Sequence, residues 1–88
     1  MNRVVKLAYQ IMIVKIEARS HQAPKVQECL TRYGCNIKTR LGLHETSPEY
    51  CAEDGLVILE LTGKKEENEQ LKKELESLEG VTVQYLEI

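Results

Sequence analysis

Two groups of residues in this 88-residue chain have the types and spacing to do chemistry. The first lies in Asn36-Ile-Lys-Thr-Arg-Leu-Gly-Leu-His44, where Lys38, Arg40, Gly42 and His44 fall at every second position. Residues two apart on an extended strand share a face. The alternation therefore predicts Ile37, Thr39, Leu41 and Leu43 on one face, and two cations, a gap and an imidazole on the other. Donors at that spacing suit a small anionic ligand, a carboxylate or phosphate, with Gly42 letting it approach the backbone. The second group is His44 and Cys51, which flank a polar loop. Neutral imidazole and thiolate are ligands for zinc, nickel or iron, so this pair is a candidate metal site. His21 and Cys35 lie further away in sequence, and Glu45, Glu49, Glu53 and Asp54 offer oxygens nearby.

Each group has a plainer explanation. Edge strands carry Lys and Arg to discourage unwanted pairing, and acidic loop residues are commonly just solvated. No Cys-x-x-Cys or His-x-His is present to sharpen the metal reading. Cys29 sits on an apolar helical stripe and reads as a core thiol. Cys35 follows Gly34 at a helix C-terminus, where the dipole raises rather than lowers a thiol pKa.

Catalysis finds little support. There is no nucleophile motif and no phosphate-cradling glycine loop, so the chain is not expected to be an enzyme. Ferredoxin-like RNA-binding modules place aromatic side chains on their central strands. Here Phe and Trp are absent, and Met12–Ile16 and Leu56–Leu61 contain no Tyr; nucleic acid is not an expected partner. No apolar run approaches the roughly 20 residues that span a bilayer, which argues against a membrane. The odd count of three cysteines and the lack of a secretory pattern imply reduced thiols and a cytoplasmic setting. The net charge of −2 conceals an asymmetry. Residues 1–44 hold eight Lys/Arg against two Glu, a balance of +6, and residues 45–88 hold four against twelve Asp/Glu, a balance of −8. Such patches can steer self-association or an anion.

The elements that must position these residues follow from periodicity. Tyr9–Ile16 reads as a strand, with Ile11–Val14 apolar on both faces, as a central strand would be. Residues 1–8 read as an arm or an extension of that strand, and residues 9–88 as one domain. Pro24 suits the first turn of a helix, Val26, Cys29, Leu30 and Tyr33 form its stripe, and Gly34 is expected to close it in the left-handed conformation. After the Asn36–His44 strand and the loop, Leu56–Leu61 is again apolar on both faces. Glu66, Glu67 and Glu69 favour a helix N-terminus, Leu71, Leu75 and Leu78 make the buried stripe, and Gly80 ends that helix. Val81–Leu86 then alternates as the last strand.

The order predicts an α+β, ferredoxin-like βαββαβ sandwich, a four-stranded antiparallel sheet with two helices on one face. So small a domain buries only about 60% of its unfolded surface, and helices on one face leave the other to be covered. A homodimer or higher homo-oligomer is the expected answer.

In this order, and in Arg40-Leu-Gly-Leu43, Gly55-Leu-Val-Ile-Leu-Glu-Leu61 and Leu78-Glu-Gly-Val81, the chain resembles small stand-alone ACT-like proteins. Among them it is similar to the group known as iron-only hydrogenase system regulators, over roughly residues 9–88. The resemblance implies an oligomeric, ligand-responsive regulatory module without catalytic activity. It departs from amino-acid-binding ACT domains in the loop Glu17–Ala23, which lacks the glycine those domains typically carry after the first strand. The expected function is a non-catalytic, self-associating, ligand-sensing module. The alternative is a metal-binding regulatory or trafficking protein using His44 and Cys51.

Overall fold

The computed structural model describes residues 8–17, 21–43 and 54–88. Four strands and two helices follow one another as β1 (Gln10–Glu17), α1 (Ala23–Arg32), β2 (Ile37–Leu43), β3 (Asp54–Leu61), α2 (Lys65–Glu76) and β4 (Val81–Glu87). The strands form one antiparallel sheet in the order β2-β3-β1-β4. This is the ferredoxin-like sandwich, with β1 and β3 in the centre.

The central position of β1 and β3 has a compositional cause. Along β1, Met12, Val14 and Ile16 are buried, and along β3 the same is true of Val57, Leu59 and Leu61. Directly opposed residues of an antiparallel pair lie on the same face, and the register joins Met12 to Leu59 and Val14 to Val57. On β4, Val83 lies beside Val14 and Val81 beside Ile16. Val26, Cys29 and Leu30 of α1 and Leu71 and Leu75 of α2 complete this core. Both helices thus serve one face of the sheet.

Helix α1 begins with Pro24 in its first turn, as expected. Its end differs. Gly34 does not take up the left-handed conformation; it opens a short 3-10 turn, Gly34–Asn36, after Tyr33. The N–H of Tyr33 bonds to the Cys29 carbonyl and that of Asn36 to the Tyr33 carbonyl, so the tightened turn satisfies groups that a left-handed cap would otherwise serve. The expectation for Gly80 is likewise corrected: α2 stops at Glu76, with Ser77 still in helical backbone, and Gly80 at φ +78° turns the chain into β4 instead of closing the helix.

The turn from β3 into α2 is fastened by amides. Asn36 Nδ2 donates to the Thr62 carbonyl (3.2 Å) and to Glu67 Oε1 (2.9 Å), while the Thr62 N–H donates back to the Asn36 carbonyl (2.8 Å). Asn68 joins Leu71 and Leu75 on the buried stripe of α2 and is fully buried. Its Nδ2 donates to the Thr62 carbonyl at 3.1 Å and to Gln10 Oε1 at 2.7 Å. Gln10 Oε1 also accepts from the Tyr85 hydroxyl, and Gln10 Nε2 donates to the Gly63 carbonyl. Gly63 itself sits at φ +88°, and a Cβ there would come within 2.7 Å of Asn36 Nδ2. Gly63→Ala therefore combines backbone strain with a clash on the clamp. It is expected to cost about 2 kcal/mol or more, read as a lowered urea midpoint at unchanged m-value.

Candidate functional site

The register of β2 changes the face on which the predicted ligand residues lie. Ile37 is opposed to Leu61 but Thr39 to Glu60, so the strand carries a bulge between them. An extra residue shifts the alternation by one. Ile37 consequently packs against the core, whereas Leu41, opposed to Ile58, lies on the face without helices. Arg40 is opposed to Leu59 and Gly42 to Val57, both on the helix-covered face. The strict alternation expected for Ile37, Thr39, Leu41 and Leu43 is thus corrected, because one extra residue moves Ile37 to the opposite face from Thr39 and Leu41.

Lys38 is drawn away from Arg40. Its Nζ lies 3.8 Å from Glu60 Oε2, and the hydroxyl of its neighbour Thr39 donates to Glu60 Oε1 at 3.4 Å. Both contacts belong to the bulge and to the helix-free side of β3. The four predicted residues therefore do not form one donor row: Lys38 goes with Glu60, Arg40 and Gly42 follow the other parity, and His44 lies outside the described residues. Cys51 also lies outside them, so the His44/Cys51 metal pair has no described geometry. Among the described residues no three His, Cys, Asp or Glu side chains are grouped to hold a metal. His21 sits in the turn before α1 at φ +58°, and Cys35 is exposed in the 3-10 turn.

Where β1 starts and β3 ends, Lys38 and Glu60 border an open cleft of about 240 Å³. Ala8, Tyr9, Gln10, Leu61 and Thr62 form the rest of its wall. The cleft thus lies at the sheet end between two sets of polar groups, the Lys38–Glu60 pair on the helix-free side and the Gln10 amide, bonded on the helix side. The same Gln10 is held by buried Asn68 of α2, which also holds the Thr62 carbonyl. Asn68 Oδ1 is buried with no hydrogen-bond partner among the described residues. The cleft and the β3–α2 turn therefore share one polar network. Sequence reasoning reached Lys38 but missed Gln10, Glu60, Thr62 and Asn68. Of these, only Asn68 left a signal, as a polar residue three positions before Leu71 on a helical stripe.

A second cluster joins the two helices. Glu74 of α2 accepts from Arg32 Nη2 (2.8 Å), the Tyr33 hydroxyl (2.6 Å) and the Cys29 thiol (3.5 Å). Hydrogen bonds from Tyr33, and then from Arg32, hold the Glu74 carboxyl below the ordinary carboxylate range. The reciprocal bond, then burial, pushes the Tyr33 phenol up to about 12. Burial first, and then its bond to Glu74, raises the Cys29 thiol. With both carboxylate oxygens occupied and the thiol kept protonated, this cluster is a fastening between helices rather than an acid, base or nucleophile.

Comparison with known proteins gives the fold. The structure superposes on the uncharacterized protein TM1266 from Thermotoga maritima with a TM-score of 0.78, at 20% identity over 93% of this chain and 99% of that one. It superposes on the apo form of CPII, a nitrogen regulatory PII-like protein from Thiomonas intermedia, with a TM-score of 0.60, at 15% identity over 93% of this chain and 90% of that one. CPII bound to ADP, AMP and bicarbonate gives 0.56 and 13%, over 93% of each chain. The architecture is shared. No family model matches the sequence, and no curated protein matches it. At such identities the likeness is one of fold.

Glu74 makes an electrostatic prediction. Its folded-state pKa lies below its unfolded value, so the stability it contributes is present above the unfolded pKa and is lost as pH falls through the folded one. Glu74→Gln should flatten the acid limb of the stability curve below about pH 5, with a loss near neutrality of about 1 kcal/mol because Arg32 and Glu74 are partly exposed. Urea melts at stepped pH values measure both; an acid limb unchanged by the substitution would contradict the assignment.

Proposed function

We propose that this chain is a non-catalytic regulatory module of the ACT-like kind, which self-associates through its sheet and senses a small ligand in the cleft at the end of β1 and β3. The observation that carries the reading is the coupling of that cleft to the rest of the fold. Lys38 and Glu60 border the opening, and Gln10 and Thr62 pass directly to Asn68 on α2. A ligand held at the cleft that draws on Gln10 alters a network that fixes the β3–α2 turn.

The chemistry of the wall selects a ligand class. Lys38 favours an anionic group, and Glu60 beside it favours a ligand that also brings a hydrogen-bond donor. The volume of about 240 Å³ is below the range of roughly 300–1,000 Å³ for drug-sized ligands. It suits a small anion or the polar end of a larger molecule. The PII-like neighbour bound to ADP, AMP and bicarbonate supplies a rational set of probes, and the ACT-like resemblance adds amino acids.

Thermal unfolding of the reduced protein against ADP, AMP, bicarbonate, amino acids and divalent metals tests the reading. A ligand at 100 times its dissociation constant adds about 2.7 kcal/mol, which moves the midpoint of a domain this size by several degrees. The expected result is a shift with an anionic ligand that Lys38→Ala removes. A panel that moves nothing, or an anion shift that Lys38→Ala leaves intact, overturns the cleft as the sensing site. A shift confined to metals, lost in a His44→Ala/Cys51→Ala variant, would instead carry the metal-binding alternative.

A further inference from the structure

The face of the sheet opposite the helices is apolar in the middle and charged around it, by Lys15 and Glu17 on β1 and by Glu60 on β3 with Lys38 beside it. Tyr9, Leu41, Leu86 and Ile88 are the exposed large hydrophobic residues among those described. All four lie on this face: Leu41 is opposed to Ile58, Leu86 to Ile11, and Tyr9 exchanges both backbone hydrogen bonds with Ile88. Ile11, Ile13, Leu56 and Ile58 lie between them and are only partly buried. Isolated apolar residues on a surface are ordinary, but a contiguous patch of this kind marks an interaction site.

The charges tell which partner fits. In one cross-strand row Lys15 stands beside Leu56; in the next Ile13 stands beside Ile58; in the third Ile11 stands beside Glu60. The cation and the carboxylate are thus related through the point between Ile13 and Ile58, one row above it on β1 and one row below it on β3. Among the described residues Lys15 has no ion-pair partner, although Glu60 has only Lys38 at 3.8 Å.

We propose that this face binds a second copy of the same chain, about a two-fold axis lying in the interface between Ile13 and Ile58, with Lys15 of each copy set against Glu60 of the other. The contact is self-complementary, as a two-fold interface requires. Strands about 4.8 Å apart and rising about 3.4 Å per residue place the two sheets' strands roughly 40° apart in this arrangement, near the roughly 30° of aligned sheets. The same dimensions give the face an area of roughly 500 Å² per copy, so the pair hides close to the 1,000 Å² or so that a specific interface needs. A packing that instead superposes equivalent rows would set Lys15 over Leu56 and Glu60 over Ile11, leaving both charges against apolar side chains.

The inference rests on the self-association in the proposed function but not on its ligand. Light scattering coupled to gel filtration, run over a micromolar dilution series, supplies the test. The wild type should be a dimer, and Ile13→Asp a monomer with unchanged circular dichroism. Lys15→Glu, at an exposed position that leaves the fold intact, should raise the dimer dissociation constant about tenfold or more. Lys15→Glu with Glu60→Lys should recover much of that loss. A wild-type dimer broken by Ile13→Asp but indifferent to Lys15→Glu keeps self-association and overturns this pairing. A wild-type monomer overturns both. A dimer that behaves as stated but gives no thermal shift with any ligand leaves the pairing in place and removes the sensing role.

Discussion

The structure depends on a mismatch between two strands and two helices. β1 and β3 are apolar on both faces, and both helices lie on one side. Burial of Met12, Val14, Leu59, Leu71 and Leu75 supplies the main driving force, since each fully buried aliphatic side chain contributes about 1.5–3 kcal/mol. The pairing that builds this core necessarily lines up Ile11, Ile13, Leu56 and Ile58 on the reverse. A sheet cannot alternate and also hide both sets with helices on one side alone. The residues that stabilise the single chain and those that invite association are therefore neighbours on the same two strands.

Polar groups then fix what the apolar core leaves undetermined. Hydrophobic burial is non-directional, whereas the amides of Asn36, Gln10 and Asn68 set the path of the chain at Thr62–Gly63. Glu74 does the same between the helices, joining Arg32 and Tyr33 at the end of α1 to the last turn of α2. The Asn68 amide is buried, where breaking its bonds to Gln10 and Thr62 is costly, so this cluster penalises small rearrangements of the turn. The cleft gains from this arrangement: a wall residue such as Gln10 is already bonded into the interior.

A ferredoxin-like sheet is an economical frame for regulation because its loops and strand ends vary while its core does not. The likeness to PII-like proteins at 13–15% identity illustrates how far sequence can diverge under one architecture. Function on such a frame has to be argued from the site. In this chain the distinctive features are Lys38, Glu60, Gln10 and Thr62 at the end of the sheet and the charge pattern of its uncovered face.

Periodicity and punctuation in the sequence were sufficient for element order, the central placement of β1 and β3, Pro24 at the start of α1, and the stripes of Cys29 and Leu71. Those features are local, or follow from how many faces of an element are apolar. The faces of β2 were not legible, because a bulge is a property of the pair rather than of one strand: nothing in Ile37-Lys-Thr-Arg shows that Thr39, not Lys38, will oppose Glu60. Gly34 was misread for a related reason, since the hydrogen bonds of the 3-10 turn and the contact of Asn36 with Thr62 set its backbone. The cleft was invisible for the strongest reason of all, as Gln10, Lys38 and Glu60 are far apart in the chain and meet only once the strands are paired. The sequence determined where strands and helices would lie and which apolar residues of β1, β3 and the helices would be buried. Only the tertiary structure decided which charges would face each other, because register is set between strands and is carried by no segment alone.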